Sequence, residues 1–198
     1  MKEFWNERYG QQEYIYGLLP NVFFKEELTK LAPGRLLMLA EGEGRNAVYA
    51  ATQGWQVDAF DYATEGRKKA LQLAESNNVT INYETALLEE YKVEPHSYDA
   101  VGLVFVHMPP ALREIVFPKV INGLKSGGKL IMEVFEKSQL GLSSGGPKQA
   151  DLLYSKEELE KEVSGLNVEL MEYANTHLEE GAYHAGAAKV LRLVATKP

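Results

Sequence analysis

The chain has 198 residues, no cysteine, and 28 acidic against 21 basic side chains, for a formal charge of −7. One domain burying roughly 70% of its unfolded surface fits that length, and 45% apolar content excludes wholesale disorder. A disulfide scaffold, an iron–sulfur cluster and Cys-ligated zinc are excluded, no apolar run reaches the ~18 residues of a spanning helix, and no Lys/Arg cluster offers nucleic acid a basic face.

The opening Met1-Lys2-Glu3-Phe4-Trp5-Asn6-Glu7 is too polar for a signal peptide, so a cytoplasmic protein is expected, as a monomer or homodimer with no membrane or nucleic-acid partner. Buried strands are predicted over 35–40, 55–61, 81–86, 98–105 and 129–135, the first after Ala32-Pro33-Gly34 and the last after Ser126-Gly127-Gly128. Helical stretches fit between them: 45–53, ending at Gly54; 66–76; and 112–124, where Pro118 predicts a kink or a late start. Residues 139–152, rich in Gly, Ser, Pro and Lys, read as a loop. Ser155 then caps a helix with Glu158 as its box partner. Two further strands, 168–174 and 189–196, are joined through Glu180-Gly181. Strand–helix alternation dictates crossover connections, hence an α/β, doubly wound, mostly parallel sheet carrying an antiparallel C-terminal edge hairpin.

In such sheets the turn after the first strand cradles ligands. Here it reads Ala40-Glu41-Gly42-Glu43-Gly44-Arg45-Asn46-Ala47, and Asp61 ends the next strand, nineteen residues after Gly42. A carboxylate at that place accepts hydrogen bonds from both ribose hydroxyls. On spacing alone a nicotinamide dinucleotide and S-adenosylmethionine (SAM) fit equally. Charge separates them, given a glutamate pointing inward. Glu41 or Glu43 beside a pyrophosphate at ~4 Å costs about 4 kcal/mol at an effective dielectric near 20, whereas SAM brings a sulfonium and an ammonium.

The chain resembles class I SAM-dependent methyltransferases, and among them a small tellurite-resistance-like branch. The resemblance rests on Leu36-Leu37-Met38-Leu39-Ala40-Glu41-Gly42-Glu43-Gly44-Arg45-Asn46-Ala47, Val57-x-Ala59-Phe60-Asp61, Tyr98-Asp99-Ala100-Val101 and Leu124-Lys125-Ser126-Gly127-Gly128. Trp5-Asn6-x-Arg8-Tyr9, Tyr16-Gly17, Pro20-Asn21 and Val190-Leu191-Arg192-Leu193-Val194-Ala195 extend it. It implies a Rossmann-like seven-stranded sheet and one SAM-binding domain over 1–198, with an N-terminal lid segment over 1–30 and a candidate lid loop over 136–154. Glu41, Gly42 and Gly44 would line the methionine moiety by backbone and Asp61 would hold the ribose. Tyr62 would lie against the adenine, Leu87 and Leu88 would cover its other face, and Phe105 would sit near the sulfonium. The chain departs from the family at Met38 and Leu87, where acidic residues are usual, and at Ala40, where a glycine is.

Methyl transfer needs positioning and exclusion of water, and a base only when the nucleophile arrives protonated. His107, in His107-Met108-Pro109-Pro110 past the fourth strand, is the candidate catalytic residue; a strand-end histidine bonded to backbone is the plainer reading. Tyr9 and Tyr16 are candidate pocket aromatics, Lys148 a candidate anion-attracting residue in the 139–152 loop, and His184 a candidate on the substrate side. No His/Asp/Glu spacing suggests a metal site. The expected activity is methyl transfer from SAM, giving S-adenosylhomocysteine, to a soft or oxyanionic small-molecule acceptor of tellurite or thiol type. The alternatives are an NAD(P)-dependent oxidoreductase, against which the missing Tyr-x-x-x-Lys pair counts, and a non-catalytic SAM-binding sensor.

Overall fold

The computed structural model describes residues 2–198. Two short helices, α1 (Lys2–Tyr9) and α2 (Val22–Leu28), precede β1 (Arg35–Leu39), α3 (Arg45–Thr52), β2 (Gln56–Asp61), α4 (Thr64–Ser76), β3 (Asn82–Thr85), β4 (Tyr98–Val104) and α5 (Pro110–Gly123). β5 (Leu124–Phe135), α6 (Lys156–Glu162), β6 (Asn167–Glu179) and β7 (Ala185–Thr196) follow. The seven strands form one sheet in the order β3-β2-β1-β4-β5-β7-β6, parallel except for β7 between β5 and β6. The doubly wound sheet and its C-terminal hairpin are therefore as the sequence predicts.

Strand order reverses between β1 and β4, which opens the crevice at their C-terminal ends. Both faces of the sheet are covered. Leu37, Leu39, Val101, Leu103 and Leu130 meet Phe117, Val120 and Tyr154 on one side. Leu36, Met38, Val57 and Ala100 meet Phe24, Leu28 and Ala47 on the other. Met38, where the resemblance leads one to expect an acid, is fully buried, and its sulfur lies so near Gly102 that a Cβ there would come within 2.5 Å. An ionised carboxylate would be stranded in that apolar layer.

Several local predictions hold. Gly54, at φ +89, follows α3, and the Ser155 side chain accepts from Glu158 N–H at 3.4 Å. α5 starts at Pro110 and runs through Pro118, so it has no late start. The terminal strands are longer than expected, because β6 and β7 stay paired out to Glu179↔Ala185. β6 is a solvated edge, so its outer residues lack the apolar alternation that marks a half-buried strand.

Candidate functional site

The turn after β1 is strained and tightly enclosed. Ala40 takes a left-handed φ of +46, the conformation that the usual glycine would adopt freely. Gly42 and Gly44 follow at +60 and +86. A Cβ on Gly44 would stand 2.5 Å from the Ala70 Cβ, so this glycine lets α4 pack on the turn. A Cβ on Gly42 would stand 2.6 Å from the Tyr9 hydroxyl, which places α1 directly over the turn. The Tyr83 hydroxyl donates to the Gly42 carbonyl at 2.7 Å.

Both acidic side chains of the turn are consumed by the protein. Glu41 Oε1 accepts the Asn46 and Ala47 N–H groups, each at 2.8 Å, closing the first turn of α3; burial, opposed by these bonds, pushes its pKa up to about 7. Glu43 pairs with Lys69 Nζ at 2.8 Å and accepts the Ile15 and Tyr16 N–H groups at 2.8 and 3.4 Å. This corrects the premise that the turn offers free negative charge to a bound cation: the glutamates hold α3, α4 and the N-terminal segment together.

Asp61 stands differently. It is 4% exposed, and its two oxygens accept one backbone N–H each, from Gly42 at 3.1 Å and Ala63 at 2.8 Å. Burial outweighs these bonds and pushes its pKa up to about 6. A carboxylate has about four lone-pair sites, so these two bonds leave lone pairs unused. Tyr62 is partly buried beside it, and burial with the Asp61 charge raises its pKa to about 12. Across the strand ends, Leu87 is exposed and Leu88 packs partly into the core.

The other half of the crevice is aromatic. Phe105, at φ +53, leaves β4 with its ring 4.6 Å from Phe135 and 4.6 Å from His184. Tyr16 lies 4.5 Å from His184. The His107 ring lies parallel to Phe135, its Nδ1 3.2 Å from the Leu152 carbonyl and its Nε2 enclosed without a partner. A carbonyl only accepts, so Nδ1 carries the proton. Burial, against that bond, pulls the His107 pKa down to about 3. The segment bearing Leu152 is itself pinned: the buried Arg113 donates to the Asp151 and Leu153 carbonyls, each at 3.0 Å, and to Met108 O at 2.7 Å.

Beneath the aromatics runs a buried ionic network absent from the sequence expectation. Asn21 Nδ2 bridges Glu133 at 2.7 Å and Glu180 at 3.0 Å. Arg45 pairs with Glu180 at 2.8 Å and Arg192 with Glu133 at 2.6 Å. Gly44-Arg45-Asn46 was the available signal: Arg45 reaches the hairpin tip, while Asn46 takes Asn21 N–H on its Oδ1 at 2.9 Å.

The structure thus brings Glu41, Gly42, Gly44, Asp61 and Tyr9 together at one end of the crevice, and Tyr16, Phe105, His107 and His184 at the other. Tyr9 packs over the glycine turn and is linked to Tyr16 through Trp5, whose ring lies 5.3 Å from Tyr9 and 6.3 Å from Tyr16. Lys148, in the loop after β5, is exposed and makes no ion pair among the described residues. Among the described residues no group of three His, Cys, Asp or Glu could hold a metal, and no helix is long and apolar enough to cross a membrane.

Residues 36–128 match the family model described as a methyltransferase domain. No protein of curated function matches the sequence. The fold is similar to that of a structure described under the conversion of a disulfide bond into a thioacetal group during echinomycin biosynthesis, at TM-score 0.81 and 12% identity over 100% of this chain and 91% of that one. It is also similar to TehB from Haemophilus influenzae, at 0.75 and 13% over 100% and 67%. Magnesium protoporphyrin IX methyltransferase from Synechocystis, with bound S-adenosylhomocysteine, matches at 0.71 and 15% over 100% and 97%. The part that matches the methyltransferase-domain model thus holds the glycine turn, Asp61 and the end of β4, and the fold of the whole chain is similar to that of these structures.

Proposed function

We propose that the protein is a SAM-dependent methyltransferase acting on a small-molecule acceptor. The observation that carries this reading is Asp61, a buried carboxylate at the end of β2 that holds the glycine turn through Gly42 N–H and keeps lone pairs unused. The vicinal hydroxyls of a ribose supply donors to them. Donors there would also offset the burial that raises the Asp61 pKa.

When bound, the cofactor supplies a methyl carbon activated by its positive sulfur. The residues present fit it. Gly42 and Gly44 shape the turn that would line the methionine moiety, with Glu41 fixing it and Tyr9 packed over Gly42. Tyr62, Leu87 and Leu88 form the adenine walls. The faces of Tyr16 and Phe105 suit a sulfonium, with about 0.5–2 kcal/mol to gain from cation–π attraction. Tyr9 and α1 cover Gly42, so the N-terminal segment acts as the lid and excludes water once closed. His107, neutral and bonded through Nδ1 to the Leu152 carbonyl, lies parallel to Phe135 and backs the aromatic end of the crevice. Soft and oxyanionic acceptors, including thiols and tellurite, remain the substrate types proposed, and a neighbour associated with disulfide-to-thioacetal conversion supports sulfur among them.

Calorimetric titration with S-adenosylhomocysteine tests the reading. Micromolar binding that Asp61→Asn weakens tenfold or more, about 1.4 kcal/mol, supports it. An absence of heat at several temperatures refutes it.

A further inference from the structure

Two histidines meet one aromatic ring, and they are chemically unlike. His107 lies parallel to Phe135, while His184 meets the same ring edge-on, with centroids 5.3 Å apart at 83°. The free nitrogen of His107 is enclosed. His184 instead directs Nδ1 to Glu180 Oε2 at 3.2 Å, and its side chain has no other hydrogen-bond partner among the described residues. A carboxylate ion only accepts, so Nδ1 carries the proton and the Nε2 lone pair is free. Glu180 cannot swing away, because Arg45 and Asn21 hold its two oxygens at 2.8 and 3.0 Å.

We propose that Glu180 and His184 form a proton-accepting dyad, and that the acceptor therefore arrives as a neutral nucleophile, a thiol or a phenol, rather than as a preformed oxyanion. This rests on the methyltransferase reading above. The proton of the S–H or O–H group passes to His184 Nε2. The freed electron pair forms the new bond to the methyl carbon, and the carbon–sulfur bond of the cofactor breaks with its pair left on sulfur. His184 becomes an imidazolium beside the Glu180 carboxylate and then releases the proton to water.

The surroundings agree. The charged and titratable groups around His184 are Glu180 from its own hairpin tip, Arg45 from α3, Arg8 from α1, His107 beyond Phe135, and the Tyr16 hydroxyl. Burial, with Arg45 and Arg8, outweighs Glu180 and lowers the His184 pKa, leaving an unprotonated base at neutral pH. Arg45 is paired with Glu180 and Arg192 with Glu133, while Arg8 donates to the neutral Tyr16 hydroxyl at 3.3 Å. Sulfur and aromatic acceptors suit the faces of Tyr16 and Phe105. Gly145 closes the outer side, since a Cβ there would lie 2.7 Å from His184 Cδ2.

Imidazole nitrogen spectra of 15N-labelled protein across pH, with His184→Gln assigning one of the four histidines, read the dyad without turnover. The wild type should show the Nδ1–H tautomer of His184 at neutral pH, and Glu180→Gln should lower the His184 pKa by about one unit or more, tenfold in proton affinity. Binding of S-adenosylhomocysteine, measured on wild type and His184→Gln, checks the underlying reading separately and should differ by less than threefold. In methyl-transfer assays, His184→Gln should slow an alkyl thiol, protonated at neutral pH, by about 100-fold or more. It should slow a nitrothiophenol, already ionised, by less than tenfold. Equal losses for both thiols overturn the dyad, as does an Nε2–H tautomer in the wild type. Wild-type protein that binds S-adenosylhomocysteine yet methylates neither the alkyl thiol nor phenol overturns it too. Failure to bind S-adenosylhomocysteine overturns the methyltransferase reading and the dyad with it.

Discussion

Lys69→Met removes the cation that neutralises Glu43 inside the glycine turn. The pair is 2.8 Å long, with side chains 10% and 3% exposed, and Lys69 Nζ also donates to the Glu13 carbonyl at 2.6 Å. Breaking one side of a buried pair costs about 3–5 kcal/mol, chiefly because the remaining charge is stranded. At about 2–4 °C per kcal/mol for a chain of this size, the melting temperature should fall by roughly 6–20 °C. Adding Glu43→Gln removes the stranded charge yet leaves an amide oxygen for Ile15 N–H, so the double variant should regain at least half of the loss. Urea unfolding followed by tryptophan fluorescence gives both values. A single-variant loss below about 1 kcal/mol, or a double variant no better than the single one, would refute the claim that Glu43 and Lys69 tie the N-terminal segment to the turn.

Other outcomes follow from the same geometry. Ala40→Gly should stabilise the protein by about 0.5–1 kcal/mol in urea unfolding, because relief of a left-handed alanine at φ +46 exceeds the entropy that glycine adds to the unfolded chain. Gly44→Ala should cost about 2–5 kcal/mol, since its Cβ would meet the Ala70 Cβ at 2.5 Å and the Ala70 Cα at 2.9 Å while φ stays near +86; thermal unfolding reads it. The pH dependence has opposing parts. The His107 pKa is about 3 in the folded protein against an ordinary 6.5, so its stabilisation is complete above pH 6.5 and is lost as pH falls towards 3. Glu41 at about 7 and Asp61 at about 6 lie above their ordinary values, so theirs is complete below about pH 4 and is lost as pH rises through 6 to 7. His107→Phe should therefore turn a shallow profile between pH 4 and 6 into one that declines with rising pH, changing the slope by up to about 1.4 kcal/mol per unit. Urea midpoints at four pH values test this, and an unchanged slope would show His107 to be exposed to solvent and protonated in the folded state.

The central strands were legible because parallel strands buried on both faces read as apolar runs, Leu36 to Leu39 and Val101 to Val104 among them. The outer halves of β6 and β7 were not. Asn175, Thr176 and His177 lie on a solvated edge where pairing, rather than burial, keeps the strand extended. At the site, glycine spacing disclosed where the turn lies but not where Glu41 and Glu43 point. Their carboxylates answer to the first turn of α3 and to Lys69, which no local pattern specifies. Glu180 was invisible for a related reason: it pairs with Arg45 across 135 positions, and a buried charge in a short polar link resembles any solvated one.

β7 follows β6 in the chain yet stands between it and β5. On a ribosome, which releases the N-terminal side first, residues 167–179 therefore have no neighbour to pair with until 185–196 have emerged, and β5 keeps an open edge for the same interval. One docking event then closes β5, recruits β6 and carries Glu180 and His184 over Phe105. The glycine turn needs only residues up to Ala70 and β3 with Tyr83, all synthesised long before. Maturation is thus vectorial: the half proposed to grip a nucleoside takes shape during synthesis, and the half proposed to accept a proton is delivered by the last strand.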